Sequence, residues 1–143
     1  MSVSKARKEN YFDLKIPVVI CIFKRVEATK KILEAVKHYS PDQLFVVADG
    51  PRNKNEEVKC SKTRRLFDDV DWPCKIYRNF SKENLGGKAR ISSGISWVFK
   101  HVDKAIILED DCMPSQDFFV FCTELLTKYA EEPKIKQIAG SNF

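Results

Sequence analysis

Three acidic residues, Glu109-Asp110-Asp111, stand next to one another directly after a short apolar run. Adjacent carboxylates repel each other, so crowding them together is unfavourable unless a positive charge offsets the repulsion. Mg²⁺ and Mn²⁺ suit this role, because they prefer oxygen ligands and combine one or two carboxylates with phosphate oxygens and water. The triplet therefore predicts a site for a divalent cation and a phosphorylated ligand. The alternative is an exposed acidic loop.

The triplet must be held at the end of an element, and the chain alternates between patterns typical of strands and of helices. The predicted strands are 17–23, 44–48, 75–78, 105–108 and a fifth that begins at 137–139. The predicted helices are 26–39, 55–69, one after Gly86-Gly87 that carries Ile91, Ile95, Val98 and Val102, and a last one that Ser115 caps. This order predicts an α/β domain with a mostly parallel sheet and helices on both faces.

Polar residues also follow the first and second predicted strands. Lys24 and Arg25 follow the first, and Asp49 and Arg52 follow the second. Open α/β sheets bind ligands at the carboxyl ends of their strands, and neighbouring strands lie about 5 Å apart, so these side chains and the triplet can converge on one nucleotide-sized ligand. Asp49 has a second interpretation, because the Asp-Gly-Pro that it begins is also a common turn sequence.

The composition is that of one globular domain. The chain has 143 residues and a net charge of +5, and we divide it into a flexible basic segment at 1–14 and a domain at 15–143. None of its five cysteines has the short spacing of a zinc or redox motif, and we expect Cys21 and Cys122 in the core. Without a long apolar run or a secretory signal, a cytoplasmic location is expected, with membrane association only through a partner or a further segment.

Other designs for binding phosphates are missing from the sequence. It contains neither the G-x-x-x-x-G-K-[ST] of a P-loop nor a G-x-G-x-x-G after the first predicted strand. Its basic residues do not form a stripe interleaved with aromatic residues, so we expect no nucleic-acid partner.

Four segments in order resemble the GT-A glycosyltransferases. They are IPVVICIFKR (16–25), FVVADGPR (45–52), NLGGKARISSGISWVF (84–99) and AIILEDDCMPSQDFF (105–119). The last segment is similar to the N-acetylglucosaminyltransferase I type, in which an acidic EDD motif precedes Asp-Phe-Phe, here Asp117-Phe118-Phe119. A looser resemblance, to the bacterial family 2 glycosyltransferases, extends from Ile16 to about Asn142.

The resemblance implies a role for each matching residue. It implies that Asp111 coordinates Mn²⁺ or Mg²⁺, and that Asp110 and Glu109 contact the ribose or the donor sugar. Asp49 would hydrogen-bond the base, usually uracil, and Arg25 would lie beside the diphosphate. The further phosphate contacts that the resemblance suggests are Lys88 and Arg90, and Arg90 can equally be a surface charge.

The chain is shorter than the proteins that it resembles, which are about twice as long and carry the acceptor site and a general base in their second half. We therefore expect a truncated, nucleotide-sugar-binding half of a GT-A domain, which on its own can be inactive and whose uncovered sheet edge favours self-association. The expected function is metal-dependent transfer of a sugar from a nucleoside-diphosphate donor, with UDP as the expected nucleotide. The acceptor is unknown. The alternatives are a non-catalytic binding subunit and a nucleotidyltransferase.

Overall fold

The computed structural model describes residues 15–140; the predicted basic segment 1–14 and residues 141–143 lie outside this part. Its elements are β1 (Val18–Ile22), α1 (Val26–Tyr39), β2 (Gln43–Ala48), α2 (Lys54–Arg65), β3 (Lys75–Phe80), α3 (Gly87–Val98), β4 (Ile106–Glu109) and α4 (Gln116–Lys128). The four strands form one sheet in the order β3-β2-β1-β4, and every pair is parallel. The predicted α/β class is confirmed.

β1 lies inside the sheet, and the order of the strands reverses beside it. Ile22 of β1 is in register with Ala48 of β2, and Cys21 is in register with Glu109 of β4. All five residues of β1 are buried, as expected for a parallel strand that is covered on both faces. Because the strands are parallel, their carboxyl ends meet at one edge of the sheet, and the reversal between β1 and β4 places a crevice there.

Helices cover both faces of the sheet, and the alternation of side chains along the strands divides the core into two layers. One layer packs the sheet against α1, α4 and the segment after α2, which contributes the fully buried Phe67. The opposite layer packs Phe45 of β2 against Val98 of α3. Gly94 of α3 lies directly on the side chain of Val47, where a Cβ atom would collide with a methyl group. α3 therefore approaches the sheet more closely than a side chain at position 94 allows.

Tyr39, at the end of α1, connects three parts of the structure. Its hydroxyl accepts a hydrogen bond from the backbone N–H of Ile16 at 2.7 Å and lies 3.0 Å from the hydroxyl of Thr123. Its ring stacks on Phe119 of α4, with the ring centroids 4.7 Å apart. These contacts fix α4 against α1 and against the segment that enters β1.

The helix ends agree in part with the sequence. The predicted cap of α4 is confirmed, because the Ser115 side chain accepts a hydrogen bond from the backbone N–H of Phe118 at 3.2 Å. The helix predicted over 55–69 is shorter, because α2 ends at Arg65 and the following Phe67 turns into the core. Within residues 15–140, no helix is long and apolar enough to cross a membrane.

The prediction of a fifth strand is wrong. Residues 137–139 pair with no strand in the part of the chain that the structure describes. Gly140 instead packs against the ring of Phe118, so the close contact of this segment is with α4 and not with the backbone of β4. A short apolar sequence at this place therefore forms side-chain contacts without joining the sheet.

β4 is an edge strand of the described sheet, and apolar side chains surround it. Phe99, Ile107 and Ile135 are between 36% and 46% exposed, and they line a groove of about 850 Å³ beside this edge. Unpaired strand edges and exposed apolar patches favour association between chains. Self-association through this edge stays a prediction.

Replacing Tyr39 with Phe leaves the backbone N–H of Ile16 without its acceptor while the ring packing is kept. An unpaired buried donor costs on the order of 1–3 kcal/mol, so the free energy of unfolding should fall by about 2 kcal/mol. Urea denaturation measures the change. Tyr129→Phe is the control, because within residues 15–140 the Tyr129 hydroxyl makes no hydrogen bond. Equal stability of both variants would contradict the role given to the Tyr39 hydroxyl.

A charge on the exposed face of β4 should weaken self-association. In sedimentation velocity, we expect the wild-type chain to form a larger species as its concentration rises. Ile107→Lys should raise the concentration needed by about fivefold or more, because burying an unpaired ammonium is unfavourable. The control Val58→Lys changes a 59% exposed residue of α2 and should have no such effect. A wild-type chain that stays monomeric at every concentration rejects the prediction.

Candidate functional site

A cavity of about 440 Å³ lies at the carboxyl edge of the sheet, between the ends of β1, β2 and β4 and the start of α3. The charged side chains that line it are Lys24, Arg25, Asp49, Arg52, Arg90, Glu109, Asp110 and Asp111. The structure therefore brings the acidic triplet and Asp49 to one cavity, as the order of the elements predicts. Lys88 is exposed on the first turn of α3 and is not among the lining residues.

Asp110 is the buried member of the acidic triplet. Pairing of β4 with β1 continues past Glu109, because the backbone N–H of Asp110 donates to the carbonyl of Cys21 at 3.1 Å. The Asp110 carboxylate accepts a hydrogen bond from the backbone N–H of Phe23 at 3.3 Å and another from Arg25 at 3.1 Å. Burial raises the pKa of Asp110, and the nearby positive charge of Arg25 opposes this shift.

Asp111 is exposed, and its environment shifts its pKa in the direction opposite to that of Asp110. The side chain is 52% exposed, and one of its oxygens lies 2.9 Å from the same Arg25 nitrogen that contacts Asp110. The hydrogen bond from Arg25 lowers the pKa of Asp111, and the thiol of Cys112 contributes in the same direction. The pKa of Arg25 is raised in turn, chiefly by its hydrogen bond to Asp111. Two neighbouring carboxylates thus share one guanidinium nitrogen.

The donor set of the cavity fits a divalent cation only in combination with a ligand. Across residues 15–140, no three His, Cys, Asp or Glu side chains are grouped so that they could hold a metal ion by themselves. Mg²⁺ and Mn²⁺ commonly take one or two carboxylates and complete their coordination with phosphate oxygens and water. The exposed Asp111 carboxylate fits that kind of site, in which a diphosphate supplies the remaining oxygens.

Asp49 is buried, and the chain itself uses its carboxylate fully. One oxygen accepts from the backbone N–H groups of Gly50 at 2.9 Å and Leu85 at 2.8 Å. The other accepts from the backbone N–H of Gly86 and from the side-chain amide of Asn84, both at 3.1 Å. A carboxylate has about four acceptor positions, so a base can bind to Asp49 only in exchange for one of these bonds. These contacts agree with the second interpretation of Asp49, in which it is a turn residue.

The Asp-Gly-Pro turn also packs tightly against the loop before α3. A Cβ atom at Gly50 would overlap the backbone of Lys82 and Glu83. The turn after β2 and the loop before α3 are therefore in direct backbone contact. Together with the Asp49 hydrogen bonds, this contact fixes one wall of the cavity.

Arg90 lies in the interior, and the interpretation of Arg90 as a surface charge is wrong. It is 5% exposed, and its guanidinium donates to the carbonyl of Ala48 at 3.0 Å and to the side chain of Asn79 at 2.6 Å, as well as to the backbone carbonyl of Asn79. Burial lowers the pKa of Arg90. Most of the guanidinium is thereby engaged in joining the ends of β2 and β3.

Arg64 of α2 makes a matching connection from the other face of the sheet, and the sequence analysis did not identify it. Its guanidinium donates to the carbonyls of Asp49 at 2.9 Å and Ser81 at 2.8 Å, and it lies over the ring of Phe80. Carbonyl groups at the ends of parallel strands need partners when no further strand residue supplies them. Two arginines from opposite faces donate to the carbonyls at the ends of β2 and β3, of which that of Ala48 also accepts from the backbone N–H of Ser81 at 2.9 Å.

Glu56 does not line the cavity but holds two residues that do, Lys24 and Arg52, and this role was not predicted from the sequence. Its buried carboxylate accepts a hydrogen bond from the Lys24 ammonium at 2.5 Å. It also accepts one from the side-chain Nε–H of Arg52 at 3.1 Å and one from the backbone N–H of Arg52 at 2.9 Å. Arg52 and Lys24 lower the pKa of Glu56 strongly. The sequence pattern that could have indicated this position of Glu56 is the N-x-x-E of Asn53 and Glu56, which is typical of the start of a helix. The Asn53 side chain caps α2 by accepting a hydrogen bond from the backbone N–H of Glu56 at 3.2 Å.

Comparison of the chain with protein-family models, with curated proteins and with solved structures found no match.

Removing the Asp49 carboxylate should destabilise the fold because it leaves four donors without their acceptor. Hydrogen bonds to a charged group contribute about 1.5–3 kcal/mol each, and neighbouring ones are not additive, so Asp49→Ala should lower the free energy of unfolding by about 3 kcal/mol. Asp49→Asn should also destabilise, because an amide group then faces other donors. The control is Glu124→Ala on the exposed side of α4. A loss below about 0.5 kcal/mol in a chemical denaturation experiment contradicts this role.

Proposed function

We propose that the cavity binds a nucleoside-diphosphate sugar, with UDP as the expected nucleotide, and that the chain is the donor-binding part of a metal-dependent glycosyltransferase. The observation that carries the proposal is the meeting of Arg25 with the acidic triplet at the reversal point of a parallel sheet, in a cavity that Asp49 also lines. Ligands of open α/β sheets bind at such a point.

The charges of the cavity suit a diphosphate that arrives with a divalent cation. The carboxylates of the triplet lie on one side, and Lys24, Arg25 and Arg52 supply positive charge close by. Guanidinium groups bind phosphate oxygens through paired N–H donors. A free anion would meet repulsion from the triplet, whereas a diphosphate with its cation can satisfy both the carboxylates and the arginines.

In this proposal, the acidic triplet, Arg25 and Arg90 each have a defined task. A bound Mn²⁺ or Mg²⁺ supplies Lewis-acid stabilisation of the charge that develops on the leaving diphosphate. Asp111 would hold the cation, and Arg25 would contact the diphosphate. Asp110 and Glu109 would orient the ribose or the donor sugar. Arg90 lines the cavity, and its guanidinium keeps the ends of β2 and β3 in place.

A non-catalytic binding subunit is the second candidate, and one observation favours it. Of the four acidic residues that line the cavity, Asp49, Asp110 and Asp111 are all engaged by donors of the chain itself. Carboxylates that already accept hydrogen bonds from the chain are poorly placed to act as a general base toward an acceptor hydroxyl, so these three suit ligand binding better than catalysis. Calorimetry with UDP and Mn²⁺, followed by an assay of sugar release from UDP-sugars, separates the candidates: binding without turnover favours the subunit.

A nucleotidyltransferase is disfavoured by the loop after β1. That loop is Phe23-Lys24-Arg25 and contains no glycine, whereas a triphosphate site usually places a glycine-rich loop there. Supplying UTP with a sugar phosphate tests this activity directly, and product formation would replace the glycosyltransferase proposal.

Asp111→Asn should weaken the Mn²⁺-dependent binding of UDP by tenfold or more, which corresponds to about 1.4 kcal/mol. The reason is that the substitution removes the exposed carboxylate while it keeps the size of the side chain. Isothermal titration calorimetry with UDP, in the presence and absence of Mn²⁺, measures the effect. The matched control is Asp117→Asn, which removes the same charge six residues later on α4, outside the cavity. Equal Mn²⁺-dependent affinity in the two variants removes Asp111 from the site.

A further inference from the structure

One nitrogen of Arg25 contacts two adjacent carboxylates. It donates to Asp110 at 3.1 Å and lies 2.9 Å from an oxygen of Asp111. We call this arrangement of Arg25, Asp110 and Asp111 the Arg25 bridge. It joins the loop after β1 to the end of β4, across the point where the strand order reverses.

The two carboxylates of the Arg25 bridge are held very differently. The Asp110 side chain is only 11% exposed, and the backbone N–H of Phe23 also holds it, so Asp110 is a fixed anchor. The Asp111 side chain is 52% exposed, and the Arg25 side chain is 55% exposed. Arg25 can therefore leave Asp111 without unpacking the core, while the contact with Asp110 keeps the guanidinium close to the cavity.

A cation on Asp111 and Arg25 on Asp111 compete with each other. Both carry positive charge and draw on the same exposed carboxylate, so they repel each other there, and the arrival of a divalent cation weakens the contact of Asp111 with the guanidinium. A diphosphate offers the displaced guanidinium a new set of acceptor oxygens within the same cavity. The metal thus displaces the Arg25 side chain from Asp111, and the nucleotide provides the acceptors to which it moves.

We propose that Arg25 is an internal counter-ion that competes with the divalent cation for Asp111 and transfers to the diphosphate when the nucleotide binds. The inference rests on the proposed function of the cavity and adds a coupling to it. Mn²⁺ alone binds weakly, because it must displace Arg25. UDP removes this competition, so that UDP tightens Mn²⁺ binding and Mn²⁺ tightens UDP binding by the same factor.

The test compares Mn²⁺ binding to the wild-type chain, to Arg25→Met and to a control variant. The control is Lys24→Met, because Lys24 is the preceding residue, lines the same cavity and carries the same charge, but pairs with Glu56 rather than with the triplet. Electron paramagnetic resonance of free Mn²⁺ gives the affinity without and with saturating UDP, once a protein-free titration has accounted for the Mn²⁺ that UDP binds in solution, and it needs no catalytic activity.

The expected result is a tighter site that depends less on UDP. Arg25→Met should bind Mn²⁺ alone about fivefold or more tightly than the wild type, and the enhancement by UDP should shrink by a similar factor. Lys24→Met should change the affinity for Mn²⁺ without UDP by about twofold or less. Adding Asp111→Asn to Arg25→Met should abolish the gain, which locates the bound Mn²⁺ at Asp111.

Two other results are informative in different ways. An equal gain in Arg25→Met and Lys24→Met means that only the overall charge matters, which overturns the competition but leaves the proposed metal and nucleotide site intact. An absence of Mn²⁺ binding in every folded variant, even with UDP, removes both the site and the competition. Circular dichroism establishes that the variants are folded.

Discussion

The parallel pairing of β1 with β4 is the interaction on which the arrangement of the site depends. It brings the backbone of Asp110 onto the carbonyl of Cys21, and this places the Asp110 carboxylate under the N–H of Phe23. The sheet reverses its order at this pair, so a crevice opens where the acidic triplet emerges. The burial of β1 on both faces stabilises the pairing, because its apolar side chains are removed from water on both sides of the sheet.

The carboxylates around the cavity fall into two groups that differ in what they hold. Asp49 and Glu56 hold parts of the chain: Asp49 organises the loop before α3, and Glu56 positions Lys24 and Arg52. After β4, the buried Asp110 and the exposed Asp111 share a single exposed arginine, Arg25. Structural anchoring and the proposed ligand binding are thus assigned to different carboxylates around the cavity.

Much of the fold follows from local sequence patterns. The apolar runs of β1 and β2 indicate buried strands because few other structures bury every residue of a short segment. Ser115 marks the start of α4 through its capping side chain. The place of the acidic triplet follows from the same logic, because a parallel sheet collects the ends of its strands on one edge. A sequence pattern alone does not show which group each side chain or strand pairs with in the folded chain.

The errors of the sequence analysis share that cause. Residues 137–139 have the composition of a strand, but strand pairing needs a backbone beside them, and the adjacent Gly140 packs on Phe118 instead. Arg90 resembles a surface charge on a helix, yet carbonyl groups from β2 and β3, which are 42 and 11 residues away in the chain, draw it inside. The hydrogen bonds of Asp49 and Glu56 likewise depend on loops that only the tertiary structure brings together.

The contact between Gly94 and Val47 limits how this protein can change during evolution. Alanine is usually better than glycine within a helix by about 1 kcal/mol, so drift toward alanine would be expected at an ordinary helical position. Here the added methyl group would lift α3 off the sheet. Arg90 lies one helical turn earlier on the same face, so its guanidinium would be drawn away from the strand ends that it joins. Position 94 does not line the cavity, yet a side chain there would move Arg90, which does line it.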